Sequence, residues 1–218
     1  MNGNERYSRQ KDIVPPDRIE ACKATVIGVG AIGRQVALQL AAMGVPRLQL
    51  IDFDHVEDSN LASQGFLEAD LGRSKVEATA EQCCRINGQL AVEIIPERFR
   101  RSMDVGNTVF CCVDKIEVRS LIWQAVRDVV SFFSDGRMSA EVIRVLSVAD
   151  AAGREHYPRT LFAPAEAHVG SCTAKSTIFT ANIAAGLMVE QFTRWLRHLP
   201  VDADIQLNLL SSELTVSA

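Results

Sequence analysis

Gly28-Val29-Gly30-Ala31-Ile32-Gly33 joins an apolar run, Ala24 to Val29, to a segment carrying Ile32, Val36 and Leu40 at helical spacing. Glycines spaced in this way permit a tight turn and let the backbone approach a phosphate, and the N–H groups of a helix start favour an anion. Asp52, 19 residues beyond Gly33, closes a second apolar run, where a carboxylate suits a ribose hydroxyl. The chemistry indicated is nucleotide binding, and the pattern leaves the nucleotide open. Asp114 ends another apolar run, at the kind of strand end where ligands gather in open sheets. Taken singly, the other candidates have plain readings: Lys75 as a solvated lysine at a helix start, Asp54 as a turn residue, Asn60 as a helix cap and Arg9 as a surface residue.

The elements that must hold these residues alternate. The pattern predicts a strand from Ala24 to Val29, a helix stopped by Gly44, a strand from Arg47 to Asp52 and a helix from Ser74 to Asn87. Strands near Val92 to Ile95 and Thr108 to Val113 follow, then a helix over roughly Ile116 to Val129 and the apolar pair Phe132-Phe133. Such alternation argues for an α/β fold, a doubly wound, mostly parallel, Rossmann-like sheet covered on both faces. Beyond Asp135 the pattern changes. A strand from Glu141 to Val148, a long crossover-type loop over 150–174 and a helix from about Lys175 to His198 are expected, with Ile178, Ala185, Val189, Phe192 and Leu196 facing inward. Alternation at Ile205, Leu207 and Leu209, and then at Leu214 and Val216, adds antiparallel strands to the C-terminal half. The whole of 1–218 reads as one domain, with 1–22 as an N-terminal arm.

At 218 residues and 47% hydrophobic, the chain can bury a substantial core. Its net charge of -4 offers no basic face for nucleic acid. No apolar run approaches the roughly 20 residues needed to span a bilayer, and the first residues are polar. A cytoplasmic protein without nucleic-acid or membrane partners is expected. Of the six cysteines (Cys22, Cys83, Cys84, Cys111, Cys112 and Cys172), none forms a Cys-x-x-Cys, so reduced, mostly buried thiols and no structural zinc are expected.

Arg6-Tyr7-Ser8-Arg9-Gln10, the glycine loop, Asp52-Phe53-Asp54, Ser59-Asn60-Leu61, Gly72-Arg73-Ser74-Lys75-Val76 and Cys112-Val113-Asp114 follow one another in a single order. As a series they closely resemble the ThiF/MoeB/HesA adenylyltransferases, the bacterial relatives of ubiquitin-activating enzymes. The resemblance covers about residues 5 to 146 and, more loosely, the later helix. It implies a ubiquitin-like modifier activating enzyme, in which ATP with Mg2+ adenylates the C-terminal carboxylate of a small ubiquitin-like or sulfur-carrier protein. Crowded negative charge is the obstacle in that reaction, so cations must offset it. By resemblance, Gly28, Gly30, Ala31 and Gly33 surround the nucleotide, Asp52 holds its ribose and Lys75 meets its phosphates. Asp54, Ser59 and Asn60 line the same pocket, and Asp114 serves magnesium and the reacting centre. Arg9 would reach ATP from the neighbouring subunit, which implies a homodimer.

Three departures from the family pattern stand out. Asn60-Leu61-Ala62-Ser63-Gln64 puts Ser63 where the family has an ATP-binding arginine; nearby Arg73 is the candidate to compensate. Val113-Asp114-Lys115 replaces Thr-Asp-Asn, and Lys115 either reinforces phosphate binding or faces solvent. Tyr157-Pro158-Arg159-Thr160 stands in place of the first of two zinc-binding cysteine pairs. Cys172 falls near the family position where some members carry a cysteine that bonds to the activated carrier. Lys175 and the helix start beyond it would favour its thiolate, and a structural cysteine is the plain alternative. Two other readings of the whole chain remain open: a non-catalytic partner subunit of an activating complex, because of Ser63, and a NAD-dependent oxidoreductase, which explains the glycine loop and Asp52 but not the rest of the series.

Overall fold

In the computed structural model, which describes residues 3–161 and 177–217, every strand expected from the sequence is present. Two short helices, α1 (Gly3–Arg6) and α2 (Pro16–Glu20), precede the sheet. Strand β1 (Lys23–Ile27) leads through the glycine loop into α3 (Ala31–Met43), which Gly44 ends in a left-handed conformation with φ of 95°. Then come β2 (Arg47–Ile51), α4 (Asp58–Gln64), α5 (Lys75–Ile86), β3 (Ala91–Ile95), β4 (Thr108–Cys111) and α6 (Ile116–Val126). The chain continues with β5 (Phe132–Ser139), β6 (Val142–Val148), α7 (Ala151–His156), α8 (Ile178–Leu196), β7 (Asp204–Asn208) and β8 (Glu213–Ser217).

All eight strands form one sheet in the order β3-β2-β1-β4-β5-β6-β7-β8. The pairs from β3 to β5 are parallel, and those from β5 to β8 antiparallel. Successive side chains of a strand point to opposite faces. Ala24, Val26, Phe110 and Phe132 thus meet α3, α5 and α8, while Ile27, Val109, Cys111 and Phe133 meet α6 and Tyr157. The winding reverses between β1 and β4. The ends of those two strands therefore flank the crevice where nucleotides bind in such sheets.

Some local expectations are corrected. The segment from Asp150 onward, expected as loop, starts as α7 and continues as a 3-10 turn over Tyr157–Thr160. Asp150 caps α7 by accepting the Gly153 N–H at 2.8 Å, and the Tyr157 ring is buried against Trp123 and Phe133 at centroid distances of 4.9 and 5.0 Å. Gly153 and Pro158 made this stretch look like a loop. Pro158 in fact sits at the start of the 3-10 turn, where its missing N–H is harmless. Ile178, expected inward, opens α8 and is 39% exposed, whereas Ala185, Val189, Phe192 and Leu196 are buried.

On the α8 side the core centres on the rings of Phe110, Phe132 and Phe192, with centroids 5.6 to 5.9 Å apart. All three are fully buried, and Phe192 joins α8 to both β4 and β5. Phe192→Ala is expected to destabilise the fold by about 3–5 kcal/mol, read from the midpoint of urea unfolding.

Candidate functional site

The glycines of the β1–α3 loop do different work. Gly28 has φ of 86°, and a Cβ there would lie 2.8 Å from the Cys112 carbonyl group. A Cβ on Gly33 would lie 1.8 Å from the Gly28 oxygen. Both positions are therefore closed by the protein itself, and the loop after β1 packs directly on the loop after β4. Gly30 differs: among the described residues a Cβ there would meet only the Gln64 Oε1 atom, at 3.7 Å. Among the described residues it is the glycine of this loop with room beside it, and it caps the 13-residue α3, whose first N–H groups can take an anion.

Asp52 organises the neighbouring segment. Its carboxylate is buried, accepting the Val29 N–H at 2.6 Å on one oxygen and the Asp54 N–H at 2.9 Å on the other. Each oxygen keeps a lone pair for a hydroxyl donor. Asp54 in turn holds Lys75. The Lys75 backbone N–H donates to the Asp54 carbonyl at 3.0 Å, and Nζ lies 3.4 Å from Asp54 Oδ2. Lys75 is thus a buried lysine, 6% exposed, and the solvated reading is set aside. One chain of contacts runs Val29–Asp52–Asp54–Lys75.

Asp114 is exposed beyond the end of β4, on the loop that touches Gly28, and Lys115 is exposed beside it. In α4, Asn60 takes the capping role raised as its plain alternative, its Oδ1 accepting the Glu57 N–H at 3.1 Å while Nδ2 reaches the Ser59 hydroxyl at 3.4 Å. Ser63 donates to the Ser59 carbonyl at 3.0 Å. Arg73 does not stand in for the missing arginine: its guanidinium is held by Asp70 at 3.0 Å and by Glu81 at 2.9 Å.

Buried polar atoms without partners test whether a nucleotide fits. Gln64 Oε1, beside Gly30, and Ser74 Oγ, one residue before Lys75, are both buried and find no partner among the described residues. Such atoms are rare in finished structures and often mark a place where a ligand or water belongs. No group of three His, Cys, Asp or Glu that could cage a metal occurs among the described residues. Magnesium does not need such a cage; one or two carboxylates with phosphate oxygens and water suffice, and Asp114 fits that role.

Arg9 lies elsewhere. The N-terminal arm is tied to the far end of α3, where Gln10 donates to the Met43 carbonyl at 2.7 Å and the Tyr7 ring packs on Gly44. Gly30 and Gly44 are roughly 20 Å apart at 1.5 Å per residue, a distance no arginine side chain spans. Cys172 and Lys175 lie outside the described residues. The other thiols are free, and burial pushes Cys22 up to about 11 and Cys83 up to about 12; Cys84 is exposed.

Two features were missed in the sequence. Arg98 stacks on the exposed Phe53 ring at 3.8 Å, directly beyond Asp52, forming a flat face of the kind that nucleobases stack on. Arg119 and Asp135 form a buried ion pair beneath the Asp114 loop. Its signal was available: Arg119 occupies the apolar stripe of α6 at helical spacing with Ile122, Trp123 and Val126.

A model of the ThiF family matches residues 7–214. The chain is 43% identical over 99 residues to an adenylyltransferase and sulfurtransferase, MOCS3, of Bos taurus, a match covering 42% of this chain and 21% of that protein. It is 32% identical over 126 residues to the molybdopterin-synthase adenylyltransferase of Haemophilus influenzae, covering 53% of this chain and 52% of that one. The matches thus span about half, or less, of these relatives' own lengths. E. coli MccB, solved with ATP, shares the fold with a TM-score of 0.77 at 17% identity, over 99% of this chain and 72% of that one.

The glycine geometry separates folding from binding. Gly33→Ala is expected to destabilise the protein by about 3 kcal/mol in urea unfolding. Gly30→Ala should change stability by no more than about 1 kcal/mol yet weaken ATP binding at least about tenfold in calorimetric titration.

Proposed function

The chain belongs to the ThiF family, and from that premise we propose that it uses ATP to adenylate the C-terminal carboxylate of a small ubiquitin-like or sulfur-carrier protein. The observation that carries the proposal is the contact chain from Val29 through Asp52 and Asp54 to Lys75, with exposed Asp114 on the adjoining loop. A dinucleotide oxidoreductase needs the first two members and has no use for a buried lysine or an exposed carboxylate beside the phosphate loop.

In the proposed reaction the ribose sits on Asp52, the base against the Phe53–Arg98 face and the phosphates between Gly30, the α3 N-terminus and Lys75. A carboxylate oxygen of the carrier tail attacks the α-phosphorus, the bond to the bridging β-oxygen breaks, and pyrophosphate leaves with both electrons. Lys75 offsets the growing charge on the phosphoryl oxygens; Asp54 holds it in place beforehand, so little reorganisation is needed. Magnesium, which Asp114 would hold, supplies further neutralisation of phosphate charge. Acyl transfer from the adenylate to Cys172 extends the reading and rests on the family resemblance alone.

A second reading has one observation in its favour. With Ser63 in place of the arginine and Arg73 occupied by Asp70 and Glu81, no arginine in this stretch is available to the phosphates. A non-catalytic subunit would bind ATP and fail to exchange pyrophosphate. ATP–pyrophosphate exchange with a carrier present separates the two, and the adenylation reading expects exchange. Asp114→Ala and Lys75→Ala should then each slow it about 100-fold, in line with roughly 2.7–4 kcal/mol per lost transition-state contact. Exchange at wild-type rate in either variant removes that residue from the mechanism.

Because Arg9 sits too far from its own Gly30, its proposed contact with ATP requires a homodimer in which it crosses to the partner site. Mixing inactive Arg9→Ala with inactive Asp114→Ala should restore part of the exchange activity, since a mixed dimer rebuilds one intact site. No recovery after demonstrated subunit exchange contradicts the crossing.

A further inference from the structure

Asp135 is fully buried in β5, level with Cys111 at the end of β4. Two guanidiniums converge on this one carboxylate. Arg119 pairs with Oδ1, and Arg137 donates to Oδ2 from Nε at 2.9 Å, with Nη2 at 2.8 Å. The Tyr157 hydroxyl also donates to Oδ2, at 2.9 Å. Burial pushes the Tyr157 phenol well above its ordinary range, so it remains a donor.

The two arginines extend this centre in opposite directions. Arg137 reaches the Thr160 carbonyl at 3.0 Å and the Thr160 hydroxyl at 3.1 Å, fixing the 3-10 turn. Arg119 donates to the Gly136 carbonyl at 3.2 Å and to the carbonyl of Val113. That last oxygen belongs to the peptide plane joining Val113 to Asp114. Whatever holds it fixes where the Asp114 N–H and Cα leave the strand, and so the base from which the carboxylate projects, because a peptide plane moves as a unit. Asp114 itself is exposed, so among the described residues the hold on its peptide plane comes from below.

We infer that Tyr157, Asp135 and Arg119 are positioning residues for Asp114, transmitting the packing of the Tyr157 turn to the carboxylate at the reacting centre. The assignment rests on the adenylation reading for its catalytic consequence, and on geometry alone for the structural link. Tyr157→Phe is the mildest break: it keeps the ring between Trp123 and Phe133 and removes one donor from a carboxylate that retains two guanidiniums.

Two measurements test it. In hydrogen–deuterium exchange without ligand, Tyr157→Phe should raise exchange in residues 112–116 about tenfold, leaving β1 and β2 unchanged. In pyrophosphate exchange, Tyr157→Phe and Arg119→Lys should lower kcat about tenfold or more with the Kd for ATP within about twofold, as expected when a reacting group is misplaced and not lost. Gln191→Ala, which loosens the α8–β7 junction by removing the bonds to Asp202, controls for general destabilisation and should leave kcat intact. Unchanged exchange at 112–116, or full kcat in Tyr157→Phe, overturns the inference. A wild type that exchanges no pyrophosphate with any carrier defeats the adenylation reading instead, and the deuterium result still decides the link.

Discussion

The Asp52 carboxylate, with one backbone N–H on each oxygen, is the constraint on which the site depends. Its bond to Val29 holds the glycine loop against the end of β2. Its bond to Asp54 sets the segment that grips Lys75. A buried carboxylate is stable as an anion only where donors meet it, and backbone donors give that support without the entropy of ordering side chains. Loop, Asp52 carboxylate and lysine are consequently not independent. Moving Asp52 would release the loop and the cation together, which is a reason for a carboxylate at this strand end that holds before any nucleotide arrives.

Much of the fold was legible. Strand and helix alternate in the sequence with periods of two and 3.6, and the parallel half follows from the short, apolar, glycine-punctuated runs. Gly44 ends α3 as its type demanded. The α7 helix was not legible, because Gly153 and Pro158 are the residues that loops use. What decides there is Tyr157, whose ring finds Trp123 and Phe133, partners distant in sequence. Of the candidate site, the places of the glycine loop and Asp52 could be read from spacing, since both rest on local backbone geometry. The burial of Lys75 could not. A lysine at a helix start looks solvated until Asp54, 21 residues earlier, is seen to cover it.

Several cations near the candidate site are closed off by partners. Arg73 is closed off by two carboxylates, and Arg119 and Arg137 share one. Arg34, next to Gly33, is 4% exposed and lies over the Phe66 ring at 4.7 Å, with no partner for its Nε among the described residues. Burial lowers its pKa, and Asp70 pulls the other way. Its ring contact turns it toward the segment before α5, although it follows the glycine loop directly in sequence. In the proposed reaction the phosphate charge falls to Lys75, the α3 N-terminus and, across the proposed homodimer, Arg9, since Arg73 is held by Asp70 and Glu81.

The central claim is that a carboxylate attacks the α-phosphorus of ATP in this pocket. The direct measurement uses a carrier whose C-terminal carboxylate is labelled with heavy oxygen, incubated with the protein, ATP and magnesium, with hydroxylamine to intercept the acyl group. Mass spectrometry of the nucleotide and phosphate products follows the label. The account predicts AMP carrying one heavy oxygen and pyrophosphate carrying none. Formation of ADP, or heavy oxygen in phosphate or pyrophosphate, would place the attack elsewhere on the nucleotide and contradict it.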